Sequence, residues 1–224
     1  MKIALQTIAS MLFGLVFFGV ALFLPAWTFD YWQAWVFIAV FISASLISGV
    51  YLAVRNPAAL QRRMRAGPTA ETRPAQRIII SAIVLSVVAT LVISALDHRF
   101  GWSTVPVPVV LLGDVLVFVG LSLAQLVVVQ NGYAGAAITV EEEQPLISTG
   151  LYGMVRHPMY FGTLIMMIGT PLALDSLWGL LAVAASVPIL AARILDEEKM
   201  LTEELAGYRE YMTKVDRRLV PYLW

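Results

Sequence analysis

Residues 150–160 read Gly150-Leu151-Tyr152-Gly153-Met154-Val155-Arg156-His157-Pro158-Met159-Tyr160. This polar segment sits between two apolar spans and carries one of only two histidines in the chain. An Arg-His-Pro-x-Tyr cluster where a chain enters a membrane is hard to account for by packing. A second polar element follows at the edge of the next apolar stretch, Arg193-x-x-Asp196-Glu197-Glu198. The two elements flank one helical hairpin, Tyr160–Leu174 and Leu177–Leu195, joined by Asp175-Ser176. The pattern is that of a polar-ligand site at a membrane face.

Composition supports the membrane reading. Of 224 residues, 59% are hydrophobic and 13% charged, and mean hydropathy is +0.80. Soluble domains are about a quarter charged. A helix needs about 20 apolar residues to cross a bilayer. Ile3–Leu24, Tyr31–Val54, Ile78–Leu96 and Val105–Val129 meet that length. The N-terminus turns apolar at once, as signal peptides do, but Pro25-Ala26-Trp27 reads as a span end, so the segment is taken as a retained helix. The expected fold is all-α and integral to the membrane, with five to six transmembrane helices, the C-terminal hairpin and a cytoplasmic C-terminal helix over Asp196–Tyr211. Gly207 marks a break in that last helix. One membrane domain covers 1–224, with four spans in 1–130 and a cofactor-binding core in 131–224.

Charge sets the orientation. The loop 55–77 holds six arginines against one acid, Glu71, and belongs in the cytoplasm. Six crossings then place both termini and both polar clusters on that side. Net charge is zero and cysteines are absent, so nothing points to a nucleic-acid partner, a disulfide or a thiolate metal site. No metal is expected.

Pro158 suits the first position of a helix, where its missing N–H costs nothing. His157 then stands at a helix start, beside orphan N–H groups that favour a carboxylate or phosphate. The bland alternative is an interfacial anchor. Arg193 and Glu197 are four apart and share a helix face; they form either a simple ion pair or two grips, one on a cofactor and one on a substrate. Glu141-Glu142-Glu143 reads as a solvated turn. Asp114 lies inside the fourth span, near enough to its start to reach water, although an intramembrane acid is a functional candidate by default. His98 reads as a loop residue, and Asn131-Gly132 as a turn or cap.

These residues resemble the isoprenylcysteine carboxyl methyltransferase family and the related phospholipid methyltransferases. The resemblance covers Asn131 to the C-terminus, through Gln144-Pro-Leu-Ile-Ser-Thr-Gly150-x-Tyr152, Arg156-His157-Pro158-Met159-Tyr160-x-Gly162, Arg193-x-x-x-Glu197-Glu198, Gly207-Tyr208-x-x-Tyr211 and Arg218-Leu219-Val220-Pro221. Asn56-Pro57-x-x-Leu60-x-Arg62-Arg63 also looks like bacterial members. The resemblance implies S-adenosyl-L-methionine as cofactor, held by Gln144, Leu146, Ile147, Tyr152, His157, Pro158, Met159, Tyr160 and Glu197. It implies that Arg193 faces the methyl acceptor and that Arg193 and Glu197 carry the catalytic site. The family often has His where this chain has Gln144. A prenylcysteine, an ethanolamine lipid, a quinone-like molecule or another lipophilic acid would fit as acceptor, with membrane lipids as surroundings. Membrane sterol and steroid reductases carry a similar Arg-His-Pro-x-Tyr segment and use NADPH, for which the arginines at 62–65 offer a phosphate grip. A non-enzymatic membrane module that binds lipid or a partner is the third reading.

Overall fold

A computed structural model describes residues 2–141, 143–221 and 223–224, with side chains from residue 9 onward. Among the described residues every regular element is helical. Glu142 of the acidic turn and Tyr222 of the C-terminal aromatic set lie outside them.

Five helices have the length and apolar composition of membrane spans: α1 (Lys2–Ala26), α2 (Trp32–Arg55), α4 (Pro74–Phe100), α5 (Val107–Gln130) and α7 (Trp178–Glu204). Each begins or ends within a few residues of the expected span. The sixth apolar helix, α6 (Pro158–Ala173), has 16 residues. At about 1.5 Å per residue it is roughly 24 Å long, less than the roughly 30 Å hydrocarbon core. Apolar side chains cover the outside of the bundle: Phe13, Val16, Val54, Ile78 and Leu85 are all well exposed. This is the surface that lipid requires, because lipid tails accept apolar groups as readily as a protein core does.

Two segments differ from expectation in their elements. The segment 55–77 is not all loop. Asn56 caps a short helix, α3 (Pro57–Met64), its side chain accepting from the Ala59 N–H at 3.1 Å while Pro57 fills the first turn. Nor is 196–211 one separate helix. α7 runs unbroken through Asp196 to Glu204, then stops at Leu205. Gly207, at φ 81°, makes the turn into α8 (Tyr208–Lys214). Only glycine takes that conformation without strain.

The helices alternate in direction, so their ends gather on two faces. On one face Asp97 and Asp175 hold the turns. Asp97 is fully buried and accepts from the Ser103 N–H and hydroxyl and from the Ser176 hydroxyl. Asp175 accepts from Gln33 and from the Val105 N–H. Tyr31 donates to the Leu174 carbonyl at 2.6 Å and stacks on His98. His98 is therefore a residue of the last turn of α4, not of a loop: the helix runs on to Phe100 and closes at Gly101, φ 61°. Asp114 is also not at water. It is 6% exposed on α5, and neither carboxylate oxygen has a hydrogen-bond partner. The other face carries α3, the loop 131–157, the end of α7, α8 and the C-terminal tail, and it holds the candidate site.

Candidate functional site

α6 is seated by glycines. Gly120 of α5 and Gly162 of α6 oppose each other, and a Cβ on Gly120 would stand 2.5 Å from the Gly162 carbonyl oxygen. Gly113 and Gly169 make the same close pair two turns away. Backbone-to-backbone approach of this kind fixes a helix in depth and rotation. It sets the first turn of α6, with His157 as its N-cap and Pro158 in the first position, beside α7.

That first turn meets two carboxylates. His157 is buried, with Nε2 3.3 Å from Glu198 Oε1 and Nδ1 3.9 Å from Glu197 Oε2. Glu198 also accepts from Arg156 Nε at 2.6 Å and from Arg218 Nε at 2.9 Å. Arg156 donates further to the carbonyls of Val215 and Asp216, and the His157 N–H donates to the Arg218 carbonyl. Glu198 is thus the buried anchor that ties the tail beneath the α6 start. Glu197 is different. The Tyr160 hydroxyl donates to its Oε2 at 2.7 Å, and its side chain stays 21% exposed, so the other oxygen is open to a ligand.

Arg193 reaches Glu197 only through that hydroxyl, to which its Nε donates at 3.0 Å. Its remaining nitrogens are engaged by Glu71 at 2.9 Å, Gln76 at 2.8 Å and the Ala136 carbonyl at 3.0 Å. Glu71, 2% exposed, also accepts from the Ile138 N–H. The single acid of the basic loop therefore reaches the C-terminal core. Sequence reasoning counted Glu71 only as loop charge, and no local signal gives its partner. Asp196 joins the same seam, accepting from Arg73 and Gln76. Glu141 of the expected solvated turn forms a two-pronged pair with Arg62, at 2.6 and 2.8 Å. That hydrogen bond holds its carboxyl below the ordinary carboxylate range.

Above this floor lies a partly open cleft. Gln144, Leu146, Ile147, Tyr152, His157, Pro158, Met159, Tyr160, Arg193 and Glu197 all line it. The structure thus brings the ten residues assigned by the resemblance to one cavity, from three separate stretches of chain, while Asp114 lies elsewhere. Gln130 sets the loop, donating to the Thr149 carbonyl and accepting from the Leu151 N–H. Tyr152 accepts from Asn131 at 3.1 Å, and burial pushes its phenol up to about 12, so it stays neutral. Asn131, Tyr208 and Tyr211 are among the wall residues outside that set. In sequence Asn131 reads as a turn or cap. Tyr208 and Tyr211 belong to the motif but had been given no role. The Tyr208 hydroxyl is buried, lines the cleft and has no protein partner; burial pushes its pKa well up.

Comparison with known proteins agrees with this architecture. The phospholipid methyltransferase family model matches residues 108–208, from α5 to the start of α8. The structure resembles that of the eukaryotic intramembrane Ras methyltransferase, isoprenylcysteine carboxyl methyltransferase, at TM-score 0.53 and 17% identity, over 99% of this chain and 97% of that one. Delta(14)-sterol reductase TM7SF2 of Mus musculus is 34% identical over 82 residues. That match takes in 35% of this chain and 20% of the reductase, so the chain corresponds to about a fifth of that protein. The chain thus carries a segment similar to phospholipid methyltransferases, in an all-helical fold shared over its whole length with that intramembrane methyltransferase.

Proposed function

We propose that the chain transfers a methyl group from S-adenosyl-L-methionine to a lipophilic acceptor at the cytoplasmic membrane face. The observation that carries this reading is the cleft itself. It joins an open carboxylate oxygen on Glu197, an unpartnered buried hydroxyl on Tyr208, and the start of α6, with apolar walls from Leu146, Ile147 and Met200. This donor set fits a zwitterionic amino acid joined to a nucleoside. Glu197 takes ammonium or hydroxyl protons, and the orphan N–H groups at the α6 start favour a carboxylate. The rings of Tyr152 and Tyr160 suit a cationic sulfonium. When bound, the cofactor supplies an electrophilic methyl group; the acceptor's lone pair forms the new bond as the carbon–sulfur bond breaks, its electrons staying on sulfur.

The residues of this chain then have mostly positioning to do, and alignment of two reactants is worth several kcal/mol, up to about 7–11 at its ideal. Arg193, with each nitrogen engaged, fixes the Tyr160 hydroxyl and through it Glu197. It acts as the rigid post between cofactor wall and acceptor side. Calorimetric binding of S-adenosylhomocysteine to the purified protein tests the reading. Micromolar affinity is expected, weakened at least tenfold by Glu197→Gln and by His157→Ala in protein that remains folded in detergent. Wild-type affinity in both variants would remove the site assignment.

The reductase match favours one rival, NADPH-dependent reduction. Its phosphate grip is weakened here, because Arg62 is already held in a two-pronged pair by Glu141. NADPH binding in place of S-adenosylhomocysteine, in the same calorimeter, would establish the rival.

A further inference from the structure

Arg63 is the cation that the proposed chemistry leaves unused. It lies on α3, beside the Arg62 that Glu141 holds. Its Nη1 donates only to the thioether sulfur of Met159, at 3.3 Å. Thioether sulfur is a weak acceptor, and among the described residues no carboxylate lies within ion-pair distance of Arg63. Among the described residues Arg55, Arg65 and Arg77 also lack an ion pair but are exposed to solvent, whereas Arg63 is half-buried; the other buried or half-buried arginines around the site are paired. Arg73 pairs with Asp196, Arg156 and Arg218 with Glu198, and Arg193 with Glu71. Removal of solvent lowers the Arg63 pKa from its ordinary value, with only the Tyr160 hydroxyl acting the other way. A partly desolvated guanidinium without an anion is costly, and the cost falls when an anion arrives.

Its place gives the anion a source. α3 follows α2 directly and packs Ala59 and Leu60 against Leu52 and Val128 at the ends of two spans. This is the depth of lipid head groups. Met159, which touches Arg63, also forms the wall of the cleft, and methionine is the most adaptable of apolar side chains. Arg193 is poorly placed for the purpose: it is 3% exposed and each of its three nitrogens already has a protein partner.

We propose that Arg63 is the acceptor-binding residue of the site. It takes the carboxylate or phosphate of a membrane amphiphile that enters between α3 and the start of α6 and displaces the Met159 sulfur. The substrate class is then an anionic amphiphile. This rests on the methyltransferase reading, because it assigns the cleft behind Met159 to the cofactor.

The test uses full-length protein in neutral detergent, saturated with S-adenosylhomocysteine, and three probes of one chain length: laurate, dodecyl phosphate and dodecanol. Wild type should bind the two anions about tenfold or more tighter than the alcohol. Arg63→Gln should abolish that preference, Arg63→Lys should keep part of it, and Arg65→Gln on the same helix end should keep all of it. S-adenosylhomocysteine affinity should be equal in all four proteins. An unchanged anion preference in Arg63→Gln overturns the proposal. So does selective loss of S-adenosylhomocysteine binding in that variant, which would make Arg63 a partner of the cofactor's own carboxylate. If wild type binds no S-adenosylhomocysteine, the methyltransferase reading itself fails. Should Arg63→Gln not fold, the anion preference of Arg63→Lys against Arg65→Lys decides the matter by the same criterion.

Discussion

Glu197 and Glu198 are neighbours in sequence and do opposite work, because successive helical residues point about 100° apart. Glu197 looks into the cleft with one oxygen open. Glu198 looks away, 5% exposed, and gathers Arg156, Arg218 and His157. Removing one partner of a buried ion pair costs about 3–5 kcal/mol, since the other charge is left in a poor solvent. Glu198→Ala should therefore lower the melting temperature by several degrees and release the tail. Tryptic cleavage near Arg217 and Arg218 should appear well before global unfolding. Glu198→Gln, which still accepts from Arg156, should lose less. A tail equally protected in Glu198→Ala would mean that its seat is the apolar contact of Leu219 with Leu190 and Ile194. The spacing of Arg193 and Glu197 announced a shared face, but not that a tyrosine hydroxyl stands between them. A partner 33 or more positions away leaves no mark on local periodicity.

At the level of elements, the α5–α6 contact depends on four glycines, two on each helix. Gly162 and Gly169 are small residues in an apolar run, which in sequence permit either close approach or a kink. Their partners Gly113 and Gly120 gave no sign of which helix they meet. A helix that is apolar on every side has no stripe pointing to its neighbour. The same limit hid α3, whose eight residues are too few for a period to declare itself. Gly120→Ala puts its methyl carbon 2.5 Å from the Gly162 carbonyl oxygen, so the helices must part. Forced overpacking costs about 1–3 kcal/mol. The larger loss should be functional, because His157 and Tyr160 ride on the first turn of α6. S-adenosylhomocysteine affinity should fall at least tenfold while helix content by circular dichroism stays near wild type. Gly19→Ala meets nothing within 4 Å and should leave both unchanged. Equal affinity in the two variants would show that the α5–α6 approach does not place the site.

For the whole molecule, the two faces differ in charge as sharply as in structure. The face that holds Asp97 and Asp175 carries Arg99 as its one lysine or arginine among the described residues. The site face carries the arginines of residues 55–77 and the basic residues of α8 and the tail. The proposed orientation follows from this asymmetry, because basic residues in short loops stay on the cytoplasmic side, and it is the orientation that would open the cleft to a nucleotide-derived cofactor. The absence of cysteine makes this directly measurable. Asp30 lies exposed in the turn between α1 and α2, and Lys214 is exposed at the end of α8. In intact cells a membrane-impermeant maleimide should label Asp30→Cys at once and Lys214→Cys only after permeabilisation. Both substitutions sit outside the cleft, so S-adenosylhomocysteine binding can be checked in the same proteins. The reverse labelling pattern would turn the molecule over and put the cleft on the outer face, where such a cofactor is not supplied. Labelling of both sites from one side would mean that the number of crossings between them is even. That would require the 16-residue α6 to enter and leave the bilayer on the site face, against its antiparallel glycine contacts with α5 at Gly113 and Gly120.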